Sequence, residues 1–284
     1  MIIFKKPDAL HDFPEKKKTV QNQIGFVPTM GALHAGHISL VKEAKKQNDL
    51  VVCSIFVNPT QFNDPEDFKK YPVTIEKDIL LFESAGCDIL FIPSVDDLYP
   101  NGINNLEHYD LGFLETVLEG KFRPGHFQGV CQVMNRLLEI VLPDNLYLGQ
   151  KDYQQCMVIK KLIQLIGLEN KIKVRVCPTL REEDGLAMSS RNTRLAPDDR
   201  GKATTISTAL RFIKENLKVG SIKETKEKAI DMLLQKGFKI DYVEIADADT
   251  LEPVEDWDEK QKLVALAAAF LNNVRLIDNM VINP

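Results

Sequence analysis

Short apolar runs of strand length, at 24–28, 50–57, 88–93, 145–149 and 171–178, punctuate the first two thirds of the chain. Between them apolar side chains return every third or fourth residue, which predicts helices over "HISLVKEAKKQ", "TIEKDILLFESAG", "GVCQVMNRLLEIV" and "YQQCMVIKKLIQLIG". In the first of these Ile38, Val41 and Ala44 form the apolar stripe, while Lys42, Glu43, Lys45 and Lys46 face water. Gly86 and Gly167 follow two stripes and Pro143 ends a third, all three being residues that stop helices. Strand and helix alternate, so the expected class is α/β, with βαβ units around a parallel sheet.

Beyond Pro178 the rhythm changes. The stretch "PTLREEDGLAMSSRNTRLAPDD" is polar, charged and aperiodic, and reads as an interdomain linker or an active loop. Helical segments follow near 198–216 and 221–236, then strand-like runs "KIDYVEIAD", "KLVALAAAF" and "VRLIDNMVI". That order predicts a smaller α+β domain with an antiparallel sheet, and the expected division is residues 1–180 and 181–284. No internal repeat or low-complexity segment is visible.

Composition narrows the partners. With 284 residues, 44% of them apolar, the chain can supply a sizeable core. Acidic residues outnumber basic ones, 41 to 36, for a net charge of -5, so the surface lacks the basic balance that nucleic acid demands. The opening "MIIFKKPDALHDF" is too short in apolar residues for a signal-peptide core. The run "LVALAAAFL" falls far below the roughly 18 residues needed to span a bilayer. The expectation is a cytoplasmic protein with no membrane partner. Five scattered cysteines, Cys53, Cys87, Cys131, Cys156 and Cys177, contain no CxxC pair and read as reduced core residues.

Ligands of an open parallel sheet bind beyond the carboxyl ends of its strands. There "FVPTMGALHAGH" is informative: Pro28 should stop the ladder of an apolar strand, and Gly31 and Gly36 permit a tight turn. A helix beginning near His37 would leave unpaired N–H groups as an anion site, with His34 and His37 facing the same anion. The His-x-x-His pair also fits zinc, though no further ligands have suitable spacing, or simple packing. It matches neither the P-loop nor the dinucleotide glycine pattern.

A second cluster, "SIFVNPTQF", ends a strand at Asn58 and Pro59 and places Gln61 where a ligand contact should fall; an ordinary loop would look similar. In "LYLGQKDYQQ", Gly149 precedes Lys151 and Asp152 at a helix start, with Gln155 one turn on. Lysine opposes the macrodipole there, a conflict that a bound anion removes; a solvated surface lysine is the alternative. The segment "DGLAMSSRN" offers Ser189, Ser190 and the planar fork of Arg191 for phosphates, or serves as a polar linker. In "EGKFRPGHFQGV", Arg123 and His126 flank a Pro-Gly turn that is either a gate or only a turn.

Taken together, "VPTMGALHAGH", "SIFVNPTQF", "RPGHFQGV", "GQKDYQQ" and "GLAMSSRN" resemble the pantoate-β-alanine ligase (pantothenate synthetase) family of the nucleotidyltransferase superfamily. "HAGH" is similar to the superfamily's HIGH signature, and "MSSR" to its KMSKS-type loop. The resemblance covers most of residues 20 to 195, is weaker through the C-terminal part, and has no match placed in the opening residues. Thr193 and Arg194 depart from it where an aromatic residue is common.

This resemblance implies a Rossmann-like domain with a HIGH-type nucleotide site, a C-terminal α+β lid, and a homodimer. The implied activity is ATP-dependent condensation of pantoate with β-alanine through a pantoyl-adenylate, with Mg2+ accompanying ATP. The implied nucleotide site takes Pro28, Thr29, Met30, Gly31, Ala32, Leu33, His34, Ala35, Gly36 and His37 from the first motif. It adds Gly149, Gln150, Lys151 and Asp152, then Leu180, Met188, Ser189, Ser190 and Arg191. His34, His37 and Lys151 are the implied catalytic residues, with His37 as proton donor or charge stabiliser. Gln61, Gln155 and Met30 map to pantoate, and Gln61 also to β-alanine. Asp78 is a candidate partner for Mg2+, or a helix-surface aspartate. Two other readings are a nucleotidyltransferase with a different substrate, against which the two glutamines count, and a non-catalytic binder, against which the retained histidines, lysine and arginine count.

Overall fold

The computed structural model describes residues 1–17, 23–63 and 65–283. In chain order its elements begin β1 (Ile2–Phe4), α1 (Pro7–Lys17), β2 (Ile24–Thr29), α2 (Ala35–Gln47), β3 (Leu50–Ile55), α3 (Pro65–Lys69), α4 (Ile75–Ser84), β4 (Ile89–Phe91) and α5 (Val95–Leu98). There follow α6 (Leu118–Phe122), α7 (His126–Val141), β5 (Asn145–Gly149), α8 (Tyr153–Leu165) and β6 (Lys173–Cys177). The remainder is α9 (Pro197–Ala203), α10 (Thr205–Asn216), β7 (Gly220–Ser221), α11 (Lys223–Leu234), β8 (Lys239–Asp247), β9 (Asp256–Trp257), β10 (Leu263–Leu271) and β11 (Val274–Ile282). The chain divides into two compact units, Met1–Gly149 with Gln154–Pro178, and Gln150–Tyr153 with Thr179–Pro284.

In the first unit six strands form a sheet in the order β1-β4-β3-β2-β5-β6, and every pairing is parallel. Its strands read as unbroken apolar runs because both faces are covered. Phe26, Val52, Phe91 and Leu146 turn to one face with Leu10 of α1, Leu137 and Leu138 of α7, and Ile159 and Leu162 of α8. Val27, Val51, Cys53, Leu90 and Tyr147 turn to the other, against Leu40, Val41 and Ala44 of α2 and Phe82 of α4. The period-2 alternation of a strand sends neighbours such as Phe26 and Val27 to opposite cores.

The opening residues hold a strand, β1, that pairs with β4 at the sheet edge. One expectation is corrected. Pro28 does not end β2, which continues to Thr29 and pairs Pro28 with Ser54 of β3. The Thr29 carbonyl accepts from Phe56 N on the β3 side, and the Ile24 carbonyl accepts from Asp144 N, next to β5. By alternation Pro28 faces β5, so its missing N–H interrupts only that side. The β2–β5 pairing accordingly stops at Phe26 and Leu146. The sheet thus opens between the ends of β2 and β5, where strand order reverses.

The second unit carries an antiparallel sheet in the order β11-β10-β8 and a short β7–β9 ribbon. Ala265, Ala267 and Ala269 of β10 share a core with Ile206, Leu210 and Ile213 of α10 and Ala229 and Leu233 of α11. The polar stretch after Pro178 is ordered: Arg181 bridges Ala187 as a small hairpin, and Ser190–Arg194 forms a 3-10 turn. The helical segment near 198–216 is broken at Thr204 into α9 and α10. Among the described residues no helix is long and apolar enough to cross a membrane.

Candidate active site

The corner between β2 and α2 is held by its own side chains and by Asp78 of α4. Gly31 at φ 80 and Ala32 at φ 49 both lie in the left-handed region, unusual for alanine, and turn the chain sharply. Asp78 of α4, 1% exposed, holds that turn: its carboxylate accepts from Ala32 N and Leu33 N at 2.9 Å each, and from Thr74 Oγ1 at 3.1 Å. The Thr29 hydroxyl accepts from Gly31 N at 3.2 Å and donates to the Ser54 carbonyl at 2.7 Å.

Helix α2 begins at Ala35, earlier than the expected start near His37, with His34 as its N-cap. His34 Nδ1 accepts from Gly36 N at 3.1 Å, and His37 Nδ1 accepts from His34 N at 3.3 Å, a capping box made of two imidazoles. The expected set of unpaired backbone donors is therefore smaller: the imidazoles take Gly36 N and the cap's own His34 N, while the Asp78 carboxylate takes Ala32 N and Leu33 N in the turn before the helix. The consequence is chemical. A neutral ring that accepts at Nδ1 carries its proton at Nε2, so the cap fixes the tautomer of both histidines and gives each an N–H on its far edge. The rings lie 4.0 Å apart, centroid to centroid.

Beyond β3, Pro59–Gln61 forms a 3-10 turn. Asn58, 1% exposed, anchors it: Oδ1 accepts from Thr60 Oγ1 and from Tyr99 Oη at 3.1 Å each, and Nδ2 donates to the Gly129 carbonyl at 3.0 Å. Burial pushes the Tyr99 phenol up to about 12, so it stays a donor. Gly129 matters for close approach, since a Cβ there would sit 2.4 Å from the Thr60 carbonyl oxygen. Gln61 donates from Nε2 to Met30 Sδ at 3.1 Å, bringing two expected pantoate residues together. Its backbone carbonyl accepts from His126 Nδ1 at 2.8 Å, and Arg123 Nη1 lies 3.0 Å from His126 Nε2 and 3.5 Å from Glu119. The Pro-Gly turn is thus a brace for Gln61. On α8, Gln154 is buried and bonded to the Leu114 and Val117 carbonyls, while its neighbour Gln155 is half-buried.

The second unit holds the other expected residues. Gln150–Asp152 forms a 3-10 turn in which Lys151 Nζ lies 3.8 Å from Asp152, and its side chain is 18% exposed. Leu180 and Met188 pair across the small hairpin, the Met188 N–H donating to the Leu180 carbonyl at 3.0 Å. Ser189 caps the following turn, its Oγ accepting from Arg191 N at 3.3 Å, and Ser190 and Arg191 occupy the turn itself.

A cavity of about 210 Å³ lies in the first unit beyond the ends of β3 and β4, lined by Met30, Gly31, Thr74, Asp78 and Ser94 among others. Among the described residues no three His, Cys, Asp or Glu side chains cluster to hold a metal. All five cysteines are buried and unpaired with one another in disulfides, and burial raises the Cys131 thiol to about 12.

The sequence pattern of the family described as Pantoate-beta-alanine ligase matches residues 2–281, nearly the whole chain. The chain belongs to that family. The pantoate-β-alanine ligase match reaches into the opening residues and through the C-terminal unit. A pantothenate synthetase of Cytophaga hutchinsonii is 46% identical over 276 residues, covering 96% of this chain and 95% of that protein. One of Caldicellulosiruptor saccharolyticus is 43% identical, covering 99% of each. The crystal structure of pantothenate synthetase from Thermus thermophilus superposes with a TM-score of 0.90 at 38% identity, covering 100% of both chains. That of pantoate-β-alanine ligase from Francisella tularensis, complexed with β-γ ATP and β-alanine, gives 0.82 at 40% identity, covering 99% and 97%.

Within this ligase fold, residues to which the resemblance gives no firm ligand role do much of the holding. Asp78 is a brace for the Gly31–Leu33 turn, and nothing in its helical context distinguishes it from a surface residue. Asn58 and Gly129 carry a faint signal, as polar and small residues inside otherwise apolar or helical stretches.

Proposed function

We propose that the chain joins pantoate to β-alanine using ATP, through a pantoyl-adenylate, with the two imidazoles at the start of α2 serving the nucleotide. The observation that carries this reading is the imidazole capping box, which sets an N–H at Nε2 of both His34 and His37 at the carboxyl end of a parallel strand. A carboxylate is already ionised at neutral pH, so its attack on the α-phosphorus needs no base. What remains is to align the reactants and to stabilise charge on the phosphoryl oxygens. His34 and His37 donate to those oxygens; Lys151, Ser189, Ser190 and Arg191 supply further positive charge and donors. Gln61 and Gln155 hold pantoate, since an amide donates to its carboxylate and accepts from its hydroxyls without clamping the carboxylate as a cation would. In the second half-reaction the β-alanine amine attacks the acyl carbon, AMP leaves, and Gln61 lies beside the incoming amine.

Mg2+ accompanies the triphosphate. Among the described residues no donor set forms a cage for it: Asp78 commits its oxygens to two backbone N–H groups and a hydroxyl, and we propose that the ion takes its ligands from phosphate and water. We further propose a homodimer, the C-terminal unit acting as a lid over the nucleotide.

ATP–pyrophosphate exchange tests the reading. Exchange should depend strictly on pantoate; exchange driven by an amino acid or by nicotinate mononucleotide, with none from pantoate, would reject it.

A further inference from the structure

Two adjacent residues near the chain's end, Asp278 and Asn279 of β11, are 2% exposed each and belong to none of the motifs above. A strand sends successive side chains to opposite faces, so a polar doublet on one strand can serve two separate segments at once. Asn279 serves the lysine turn. Its Nδ2 donates to the Gln150 and Lys151 carbonyls at 2.9 Å each, and its Oδ1 accepts from Gln150 Nε2 at 3.2 Å. Asp278 serves the serine loop. Its side chain is fully buried and accepts a two-pronged pair from Arg181, at 2.6 and 3.0 Å. Arg181 also donates to the Gly185 carbonyl at 3.1 Å and to the Asn279 carbonyl at 3.3 Å, which closes the small hairpin whose end carries Ser189–Arg191. The hairpin is locked further by Asn192, whose Nδ2 donates to Glu182 at 2.9 Å and to the Ala187 carbonyl at 3.0 Å. The strand beneath is fixed by its pairing with β10, Asp278 opposite Ala267 and Asn279 opposite Leu266.

We propose that Asp278 and Asn279 are positioning residues that lock the Lys151 turn and the Ser189–Arg191 loop to one strand, so that both meet the triphosphate as a single rigid body. This rests on the nucleotide role given to Lys151 and the loop. The doublet touches backbone, the Gln150 amide and Arg181, and it acts through those groups on the reacting phosphate. A buried side-chain amide bonded to two carbonyls fixes a backbone more firmly than water does, because its loss leaves both acceptors unpaired.

Asn279→Asp keeps the shape and removes both donors. It should lower kcat of pantoate-dependent exchange about 10²-fold, as expected when a reacting group shifts by an ångström, with the KM for pantoate held within about twofold. A double-mutant cycle separates positioning from general weakening. In a Lys151→Ala background Asn279→Asp should change the rate by less than about twofold. Equal losses in both backgrounds, or a raised pantoate KM with kcat intact, would overturn the proposal. Should Lys151→Ala turn over too slowly to follow, the ATP dissociation constant from calorimetry closes the same cycle. If Asn279→Asp fails to fold, Arg181→Lys, which keeps charge and loses the fork, tests the other arm; an unchanged kcat there sinks it. Arg275, paired with Asp241 at 2.8 Å on the same strand, supplies the control: Arg275→Met should leave kcat unchanged. Wild-type protein without pantoate-dependent exchange would count against the proposed function, whereas the ATP-binding cycle would still report on the doublet.

Discussion

The histidine corner and the lysine segment are held by opposite means. At the corner, His34 and His37 lie three residues apart and cap one another's backbone, so the tautomer that gives each an Nε2 proton is set within a single helical turn. Lys151 sits on the short 3-10 turn Gln150–Asp152, and its backbone is pinned by Asn279, 128 residues further along the chain. The imidazole cap needs only its own helical turn, although Asp78 braces the Gly31–Leu33 turn before it; a pinned segment inherits every disturbance of the strand that pins it.

Substitutions can break this contrast. The largest effects should come from His37→Ala and Lys151→Ala, each lowering pantoate-dependent exchange about 10²–10³-fold, as removal of a charge-stabilising donor does. Both variants should still melt cooperatively by circular dichroism. Gly129→Ala comes next, because its methyl must displace the Thr60 carbonyl. Overpacking of that kind costs about 1–3 kcal/mol, and urea unfolding should show the loss along with a raised KM for pantoate.

Asp78→Asn turns an amide toward two N–H donors. Leaving a buried donor unpaired costs about 1–3 kcal/mol, readable in the same unfolding experiment, while the Mg2+ concentration for half-maximal exchange should not move. A shift in that concentration would restore Asp78 as a metal partner.

His34→Asn sharpens the comparison further. Asparagine caps helices well, so stability should hold, whereas His34→Ala should lose about 1 kcal/mol; exchange should fall in both, since neither provides the imidazole N–H.

The smallest effect is a matter of pH at the sheet's margin. Lys6 donates to Asp97 at 2.8 Å, and this bond, with those from Ser94, draws the Asp97 carboxyl down to about 2. Its pKa is lower folded than unfolded, so the contribution is complete above the ordinary carboxylate range and fades as pH falls toward 2. Thermal midpoints of wild type and Asp97→Asn should converge over that window.

Much of this could be read along the chain. Unbroken apolar runs between helical periods mark β2, β3, β5 and α2, α4, α7 and α8, because a doubly covered sheet leaves its strands no polar face. The histidine pair stands out by type and spacing, whereas the two glutamines and the serine–arginine loop also read as ordinary loop or linker and draw their expected roles from the family motifs. The course of β2 past Pro28 is less legible: whether a proline breaks a strand depends on which neighbour its nitrogen faces. Edge strand β1 is defined by its pairing with β4, a contact between segments 87 positions apart that no local pattern announces.

Periodicity, glycine and proline punctuation and the close-set histidines follow from interactions that span about one helical turn, and such interactions are written in neighbouring letters. Folding alone brings Asp78 to Ala32 across 46 positions, Asn58 to Gly129 across 71, and Arg181 to Asp278 across 97. A buried aspartate bonded to a distant backbone has the same letter, and the same helical neighbours, as one in water. Its role arises only when the packed core removes water from both partners and leaves each the other's means of satisfying its hydrogen bonds.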